Sequence, residues 1–393
     1  MRRDPRFTLQ FLHGVPTLLP FGQAVADHRQ GVQLDEAGVF LWNALADEPS
    51  REELLARFLQ FSEVTPEEAL QAEQDLDSFL SQLTAFRILT PEAPSGGAAC
   101  WSVKIAGLRV SLAGDPAWIP QEFAPFREET PGTPDQTITL TDREPVFPRG
   151  GELLLRTEEL ELLRTEDRWV ILFPASSRVA QGEVSLDGRE AWFFVRPCFT
   201  PEETSALREE LFHAIRPVFL LRARQWGVFA LHGVSLGYRD RAWLFSASSG
   251  TGKSTHARLW EESFGVRQLN GDLALLAFRD ADGRETPETL WLQPGPWCGT
   301  SGIFTTETVP VGGITLLARG AEDWLEALSP DRKQLMLANR LISPFWTREM
   351  LEANLAFARQ VTDRLPLWRL HCTMDPHAAR VMKDEIDRWV EST

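Results

Sequence analysis

Apolar positions recur at helical spacing in the first part of the chain, give way to alternation, and then switch repeatedly between the two periods. Val39, Trp42 and Leu45 share one face of a predicted helix over 35–46. Ser50-Arg51-Glu52-Glu53 is a capping box, in which serine and glutamate each satisfy a helix-terminal N–H, and Leu54, Leu55, Phe58 and Leu59 follow it. Thr65-Pro66-Glu67-Glu68 repeats that signature with proline at the first helical position. Ala69, Leu76, Phe79, Leu80 and Leu83 carry this helix to about Phe86. Turn signals at Pro20-Phe21-Gly22 and Gln30-Gly31 place a short hairpin within 16–34, and Ile88-Leu89 reads as a closing strand. Strands, three helices and a closing strand predict a small winged-helix-like α+β domain over residues 1–90.

Pro91-Glu92-Ala93-Pro94-Ser95-Gly96-Gly97-Ala98-Ala99 has the composition of a linker. Beyond it, residues 100–204 alternate at Trp101–Val110, Thr137–Leu140, Leu153–Arg156, Trp169–Phe173 and Ala191–Val195, which predicts a β-rich region. The acidic, proline-containing stretch Glu128–Gln136 is a predicted loop. A third capping box, Thr200-Pro201-Glu202-Glu203, opens a helix expected to reach about Arg224, with Gly227 past its end. Over 205–393 strand and helix signals alternate, the pattern of an α/β core.

Composition narrows the class. The 393 residues are 43% hydrophobic and 24% charged, as in an ordinary globular protein. The net charge of −16 repels a phosphate polyanion and argues against nucleic-acid binding as the main activity. Cys100, Cys198, Cys298 and Cys372 are far apart, with no C-x-x-C pair, and read as free thiols of a reducing compartment. No apolar h-region follows the basic start, and no run of apolar residues is long enough to span a bilayer, so the expectation is a cytoplasmic protein with no membrane segment.

Candidate chemistry lies in Leu244-Phe245-Ser246-Ala247-Ser248-Ser249-Gly250-Thr251-Gly252-Lys253-Ser254-Thr255. An apolar strand runs into a glycine-containing loop that ends in Gly-Lys-Ser-Thr, and a helix with Ala257, Leu259 and Trp260 follows. This is the setting of a phosphate-binding loop, or P-loop. Backbone N–H groups of Ser248 through Thr255 wrap phosphates at the positive end of the new helix. On this reading Lys253 would neutralise charge on the β- and γ-phosphates of ATP, and the Ser254 hydroxyl would ligate Mg²⁺. Ala247 stands where the first glycine of this pattern is usual. Upstream, His232-Gly233 ends an apolar strand, and a hairpin through Gly237-Tyr238-Arg239-Asp240 returns into the loop strand. A histidine there also reads as a hydrogen-bonded core or edge residue. Downstream, Asp272 ends the short strand Val266–Gly271, one helix after Lys253, a spacing closer than that of common P-loop NTPases that favours a different group of nucleotide enzymes; a surface turn aspartate is the alternative reading. Pro294-Gly295-Pro296-Trp297-Cys298-Gly299-Thr300-Ser301-Gly302-Ile303 reads as a loop in close contact with a ligand or backbone, or as an ordinary surface loop. Cys298 within it reads as a plain thiol rather than a nucleophile.

Taken together, His232-Gly233, Ser249-Gly250-Thr251-Gly252-Lys253-Ser254, Asp272 and Gly299–Ile303 resemble the HPr kinase/phosphorylase-like kinases, well over 205–393 and loosely over 100–204. The resemblance implies a P-loop kinase core of the HPr kinase/PEP carboxykinase-like type. It implies an active-site role for His232, a base or metal-ligand role for Asp272, and a site-forming role for Gly299–Ile303. The family's paired aspartates are Gly271-Asp272 here, the glutamate after the loop serine is Thr255, and the acidic lead-in to the glycine segment is Pro296-Trp297-Cys298. These departures point away from phosphorylase activity and from HPr as substrate, and toward the branch found beside peptide-modification genes, such as the serine kinases of lasso peptide pathways. Residues 7–90 resemble PqqD-like peptide-recognition domains through Leu19-Pro20-Phe21-Gly22 and Leu34–Trp42. That resemblance implies binding of a precursor peptide by strand addition at a sheet edge.

The function expected from this reading is ATP- and Mg²⁺-dependent phosphoryl transfer to a Ser or Thr hydroxyl of a ribosomally made peptide or a protein, recruited through residues 1–90. Lys253, His232 and Asp272 would carry the chemistry, with Ser254 and Asp272 on the metal. The alternatives are a small-molecule kinase, an ATP-dependent regulator with a DNA-binding winged helix, and a scaffold that binds peptide and nucleotide without transfer. Either a monomer or a homo-oligomer is compatible with the sequence.

Overall fold

The structure is a computed structural model. It describes the chain apart from Met1, Pro5, residues 22–24 and 26–30, Glu48, residues 63–64 and 66–67, Arg87, residues 91–98, Glu144, residues 146–150, Phe199, Ser249 and Thr393. Residues 91–98 of the linker predicted over 91–99, the turn residues Gly22 and Gln30, and Pro66-Glu67 therefore lie outside the described residues. The chain divides into two compact units, Met1–Gly97 with Arg196–Leu207, and Ala98–Val195 with Arg208–Thr393.

In the first unit β1 (Arg2–Arg3), β2 (Phe7–Leu12), β3 (Val15–Pro20) and β4 (Val32–Gln33) precede three helices, α1 (Glu36–Ala44), α2 (Arg51–Phe61) and α3 (Ala69–Ala85), and β5 (Leu89–Thr90) closes the order. The predicted hairpin within 16–34 is the antiparallel pair β3–β4. Strand β2 adds to it through a turn in which His13 and Gly14 both take positive φ, 51° and 87°, the left-handed pair that matches strand twist. Asp35 caps α1, its carboxylate accepting from the Gly38 N–H at 2.7 Å. The Ser50–Glu53 capping box forms in both directions, at 3.2 and 3.0 Å. At Thr65 the arrangement differs: both the N–H and the hydroxyl donate to Glu68. The helical periodicity is realised in the core, where Leu18, Leu41, Trp42, Leu45, Leu54, Leu76, Leu83 and Ile88 are buried together.

The second unit holds two sheets. The first joins β6 (Ala99–Ile105), β7 (Leu108–Gly114), β8 (Gln136–Thr141), β9 (Glu152–Arg156), β10 (Glu161–Arg164), β11 (Arg168–Leu172), β12 (Val179–Ser185) and β13 (Glu190–Val195) in the order β6-β7-β8-β13-β12-β11-β10-β9. The sequence pattern missed β10, which is four residues long, and β12, whose buried Gln181 and Glu183 interrupt the apolar alternation. Helix α4 (Pro201–Ala223) starts as its capping box dictates, the Thr200 hydroxyl accepting from the Glu203 N–H at 3.2 Å. Its continuation ends at Gly227 in the left-handed region.

The rest alternates as β14 (Phe229–His232), β15 (Val234–Tyr238), β16 (Arg241–Ser246), α5 (Lys253–Phe264), β17 (Arg267–Asn270), β18 (Leu273–Ala277), β19 (Trp291–Gln293), β20 (Val309–Arg319), β21 (Trp324–Glu326), α6 (Pro330–Ala338), α7 (Arg348–Arg364), β22 (Leu367–Cys372) and α8 (Pro376–Ser392). Nine strands form one sheet along the path β14-β18-β19-β20-β16-β15-β17, with β22 beside β20 and β21 beside β22. Among the described residues of this sheet, β16–β20 and β20–β22 pair in parallel and the other pairs are antiparallel. The protein is thus mixed α/β with several open sheets, and its α/β core is more antiparallel than the alternating pattern implied.

Strand β16 shows why the core sits where it does. Trp243 and Phe245 face one side, in a cluster with Trp260 of α5 and Ala378, Met382 and Ile386 of α8. Ala242 and Leu244 face the other, with Leu337 of α6 and Phe357 and Val361 of α7. Period-two alternation in a strand covered on both faces appears as a continuous apolar run. Cutting Leu244 back to alanine at such a site costs about 2–5 kcal/mol.

His256 of α5 lies in this core, only 2% exposed, with its ring against Phe245. Its Nε2 accepts from Trp260 Nε1–H at 3.1 Å, so the proton resides on Nδ1, which has no partner among the described residues. Burial pushes its pKa from 6.5 down to about 4. The unfolded chain therefore takes up the proton first as the pH falls. The stability that depends on a neutral His256 is whole above pH 6.5 and drains away toward pH 4, on the order of 3 kcal/mol in all. Urea unfolding between pH 7 and pH 4 is expected to show a shallower loss of stability in His256→Gln, which keeps an acceptor for Trp260. An unchanged slope would remove His256 as its source.

Candidate functional site

The site is built where β14, β16 and β18 end together. Strand β16 hands over at Ser246 to Ala247 and Ser248, and the chain turns through Gly250 and Gly252, with φ of 71° and 106°, into α5. The Thr251 N–H donates back to the Ser248 carbonyl at 3.2 Å. His256 makes the first i→i−4 bond of α5, to the Gly252 carbonyl at 2.9 Å. The N–H groups of Lys253, Ser254 and Thr255 precede that bond, and no side chain caps them. The turn therefore presents backbone donors at the positive end of a helix. Lys253 Nζ donates to the Ala247 carbonyl at 3.3 Å across the turn. Burial pulls the Lys253 ammonium below its usual pKa, Asp272 opposes that shift, and Arg340 adds to it.

His232 and Asp272 meet beside this turn, Nε2 to Oδ1 at 3.1 Å, with 32% and 31% of their side chains exposed. The backbone beneath them is tied down from every side. The His232 N–H donates to the Arg340 carbonyl at 3.0 Å, and the buried Ser246 hydroxyl donates to the His232 carbonyl at 2.6 Å. The Gly233 N–H donates to the Asp272 carbonyl at 2.8 Å. Asn270, 4% exposed, sets the bend before Asp272: its side-chain oxygen accepts from the N–H groups of Asp272 and Leu273, both at 2.9 Å, and its amide donates to the Trp297 carbonyl. The hydrogen bond from His232 holds the Asp272 carboxyl below its usual pKa against the pull of burial, helped by the charges of His232, Arg216 and Lys253.

The glycine segment closes over this pair. Ser301 Oγ donates to the Cys298 carbonyl at 2.7 Å and accepts from the Ile303 N–H, and the Gly271 N–H donates to the Ile303 carbonyl. A Cβ at Gly271 would meet Ser301 Oγ at 1.9 Å. Gly299, at φ 60°, lies so close that a Cβ there would meet the Asp272 Cβ at 2.9 Å. With Ser301 in place, position 271 therefore has no room for a side chain. Burial pushes the Cys298 thiol pKa up, the opposite of what an attacking thiolate needs.

Of the residues singled out in the sequence, Lys253, His232, Asp272 and the Gly299–Ile303 segment come together. Ser254 and Thr255 occupy the first turn of α5 and make no hydrogen bond to this group among the described residues. Ser248 Oγ accepts from Arg340 Nη2 at 3.0 Å, and Ser249 lies outside the described residues. Sequence reasoning missed three arginines. Arg340 is placed by the segment after α6, where Leu341 bridges Leu231 and the Ile342 N–H donates to the Ala230 carbonyl. Arg319, at the end of β20, donates to the Gly250 carbonyl. Arg216 of α4 bears on Asp272 by charge. The chain uses arginine for nearly all its cations, so none of the three carried a signal in sequence.

Magnesium would find two hard oxygens here, the Ser254 hydroxyl and the Asp272 carboxylate. Such a donor set fits a cation that takes its other ligands from phosphate and water. Among the described residues no group of three or more His, Cys, Asp or Glu is placed to hold a metal, which is the arrangement a zinc centre requires. No helix among the described residues is long and apolar enough to cross a membrane.

Compared with known families, residues 23–89 match coenzyme PQQ synthesis protein D (PqqD), so the PqqD-like character read from the sequence is supported over that span. No curated protein matches the chain.

The packing at Gly271 has a measurable consequence. Gly271→Ala is expected to destabilise the second unit by about 1–3 kcal/mol. Adding Ser301→Gly should recover part of that loss, so a double-mutant cycle followed by denaturant unfolding should give a clear coupling term. Strict additivity would mean that Ser301 does not exclude a side chain at 271.

Proposed function

We propose that the chain is an ATP-dependent kinase that phosphorylates a Ser or Thr hydroxyl of a ribosomally made precursor peptide, with an HPr kinase-like P-loop core in its second unit and a winged-helix-like, PqqD-like recognition domain in its first. One observation carries the reading: an uncapped helix N-terminus after a glycine turn, a partly desolvated lysine and an ionised aspartate bonded to histidine all converge at one end of one sheet.

The chemistry follows from that arrangement. The free N–H groups of the α5 first turn and Lys253 hold the triphosphate tail. Ser254 and Asp272 would hold Mg²⁺, which would supply charge neutralisation on the phosphates. Asp272, kept ionised, accepts the acceptor hydroxyl's proton directly or through His232. His232 holds the carboxylate in one orientation. The hydroxyl oxygen forms its bond to the γ-phosphorus as the bond from that phosphorus to the β–γ bridging oxygen breaks, and ADP leaves with the electron pair. Alignment and charge neutralisation supply most of the acceleration in such transfers.

Support for the recognition role comes from the PqqD match and from the three-stranded sheet β2-β3-β4, whose outer strands leave backbone groups open to an added strand. A peptide held there is tethered to the chain that carries the second unit, which raises its effective concentration.

The full chain with ATP, Mg²⁺ and peptides encoded beside its gene is expected to yield a peptide heavier by one phosphate on a seryl or threonyl residue, read by mass spectrometry. Lys253→Ala and Asp272→Asn should each slow transfer by about 10²–10³-fold. Full activity in Lys253→Ala would overturn the proposal. Removing the N-terminal segment of the acceptor peptide should raise KM while leaving kcat near its original value, the signature of lost uniform binding. A fall confined to kcat would sink the recognition role.

A further inference from the structure

Helix α4 contributes a side chain that the reading so far does not use. Phe212, Arg216 and Phe219 lie at i, i+4 and i+7, on one stripe of the helix. The two phenylalanines grip Trp297. The Phe212 carbonyl accepts from Trp297 Nε1–H at 3.1 Å, and the Trp297 ring lies 6.0 Å from Phe212 and 5.0 Å from Phe219. Trp297 is 2% exposed, and the residues directly after it carry Gly299 against Asp272. The stripe that bears Arg216 is therefore the one packed on the loop that covers Asp272.

Arg216 is partly buried there, and among the described residues its guanidinium has neither a hydrogen bond nor an ion pair. The charges that bear on it are those of Asp272 and of Glu159, which stands in an exposed turn between β9 and β10 without reaching ion-pair distance. Most arginines of this chain are engaged with carboxylates, as in Arg168–Glu183 and Arg178–Glu210. A half-buried guanidinium with no acceptor among the described residues is open to an anion, and its planar fork matches the oxygens of a phosphoryl group. Lys253 approaches Asp272 from the turn before α5, whereas Arg216 comes from α4, so the two cations belong to different elements around one carboxylate.

We propose that Arg216 binds the anionic oxygens of the phosphoryl group as it passes from the nucleotide to the acceptor. The proposal rests on the nucleotide-dependent transfer argued above and adds to it the residue that recognises the group in transit. Arg216 binds oxygens that ADP lacks, so its contribution separates from that of Lys253, which also meets the phosphates ADP retains.

The test uses the full chain with Mg²⁺ and two probes, ADP and the non-hydrolysable β,γ-imido analogue of ATP, in titration calorimetry, together with kcat and KM for transfer. In the wild type the analogue should bind more tightly than ADP. In Arg216→Gln that advantage should vanish while ADP affinity and the melting temperature hold, and kcat should fall by about 10²–10³-fold. Arg216→Lys, which keeps a point charge without the fork, should fall between the two. An Arg216→Gln chain that keeps both the analogue's advantage and wild-type kcat overturns the proposal and leaves the kinase reading standing. Equal loss of ADP and analogue affinity also overturns it, assigning Arg216 to the nucleotide as a whole. A wild type that binds neither probe overturns the nucleotide reading and this one with it.

Discussion

The second unit depends on one backbone junction, the His232-Gly233 step between β14 and β15. There the chain leaves a strand paired with β18 and enters one paired with β16 and β17. The His232 carbonyl takes the Ser246 hydroxyl, the His232 N–H reaches Arg340, and the Gly233 N–H reaches the Asp272 carbonyl. A Cβ at Gly233 would come within 2.8 Å of the Phe245 carbonyl oxygen. Each of these groups would be costly to leave unpaired in the interior. Their mutual satisfaction fixes the ends of β14, β16 and β18 at one level, and the side chains that leave those ends share one place.

Charge around that place runs against the charge of the whole. The protein carries a net −16, yet Lys253, Arg216, Arg319 and Arg340 surround the single carboxylate of Asp272 or the turn beside it. A local surplus of cations attracts a small, multiply charged anion strongly. The acidic remainder of the surface repels an extended polyanion. The two together favour a small anion over an extended polyanion.

Much of the fold was legible because its signals are local. Capping signatures at Ser50 and Thr200 mark helix starts with side-chain chemistry contained in four residues; the box at Ser50 forms in both directions, and at Thr200 the hydroxyl accepts from the Glu203 N–H. The hairpin at Arg239 and Asp240 and the glycine turn into α5 are equally local. Strand β12 was not legible, because Gln181 and Glu183 sit in the interior and break the alternation, their polarity met by partners such as Arg168, which binds Glu183.

The candidate site divides along the same line. The sequence alone determined the turn before α5, its lysine and serine, and the strand ends that carry His232 and Asp272, since strand, turn and helix propensities are short-range. Tertiary structure alone decided that His232 bonds Asp272, that Ser301 excludes a side chain at 271, and that arginines from α4, from the end of β20 and from the segment after α6 gather around them. Those contacts join residues far apart in the chain, and only the folded sheet, once its strand order is set, brings them within reach of one another.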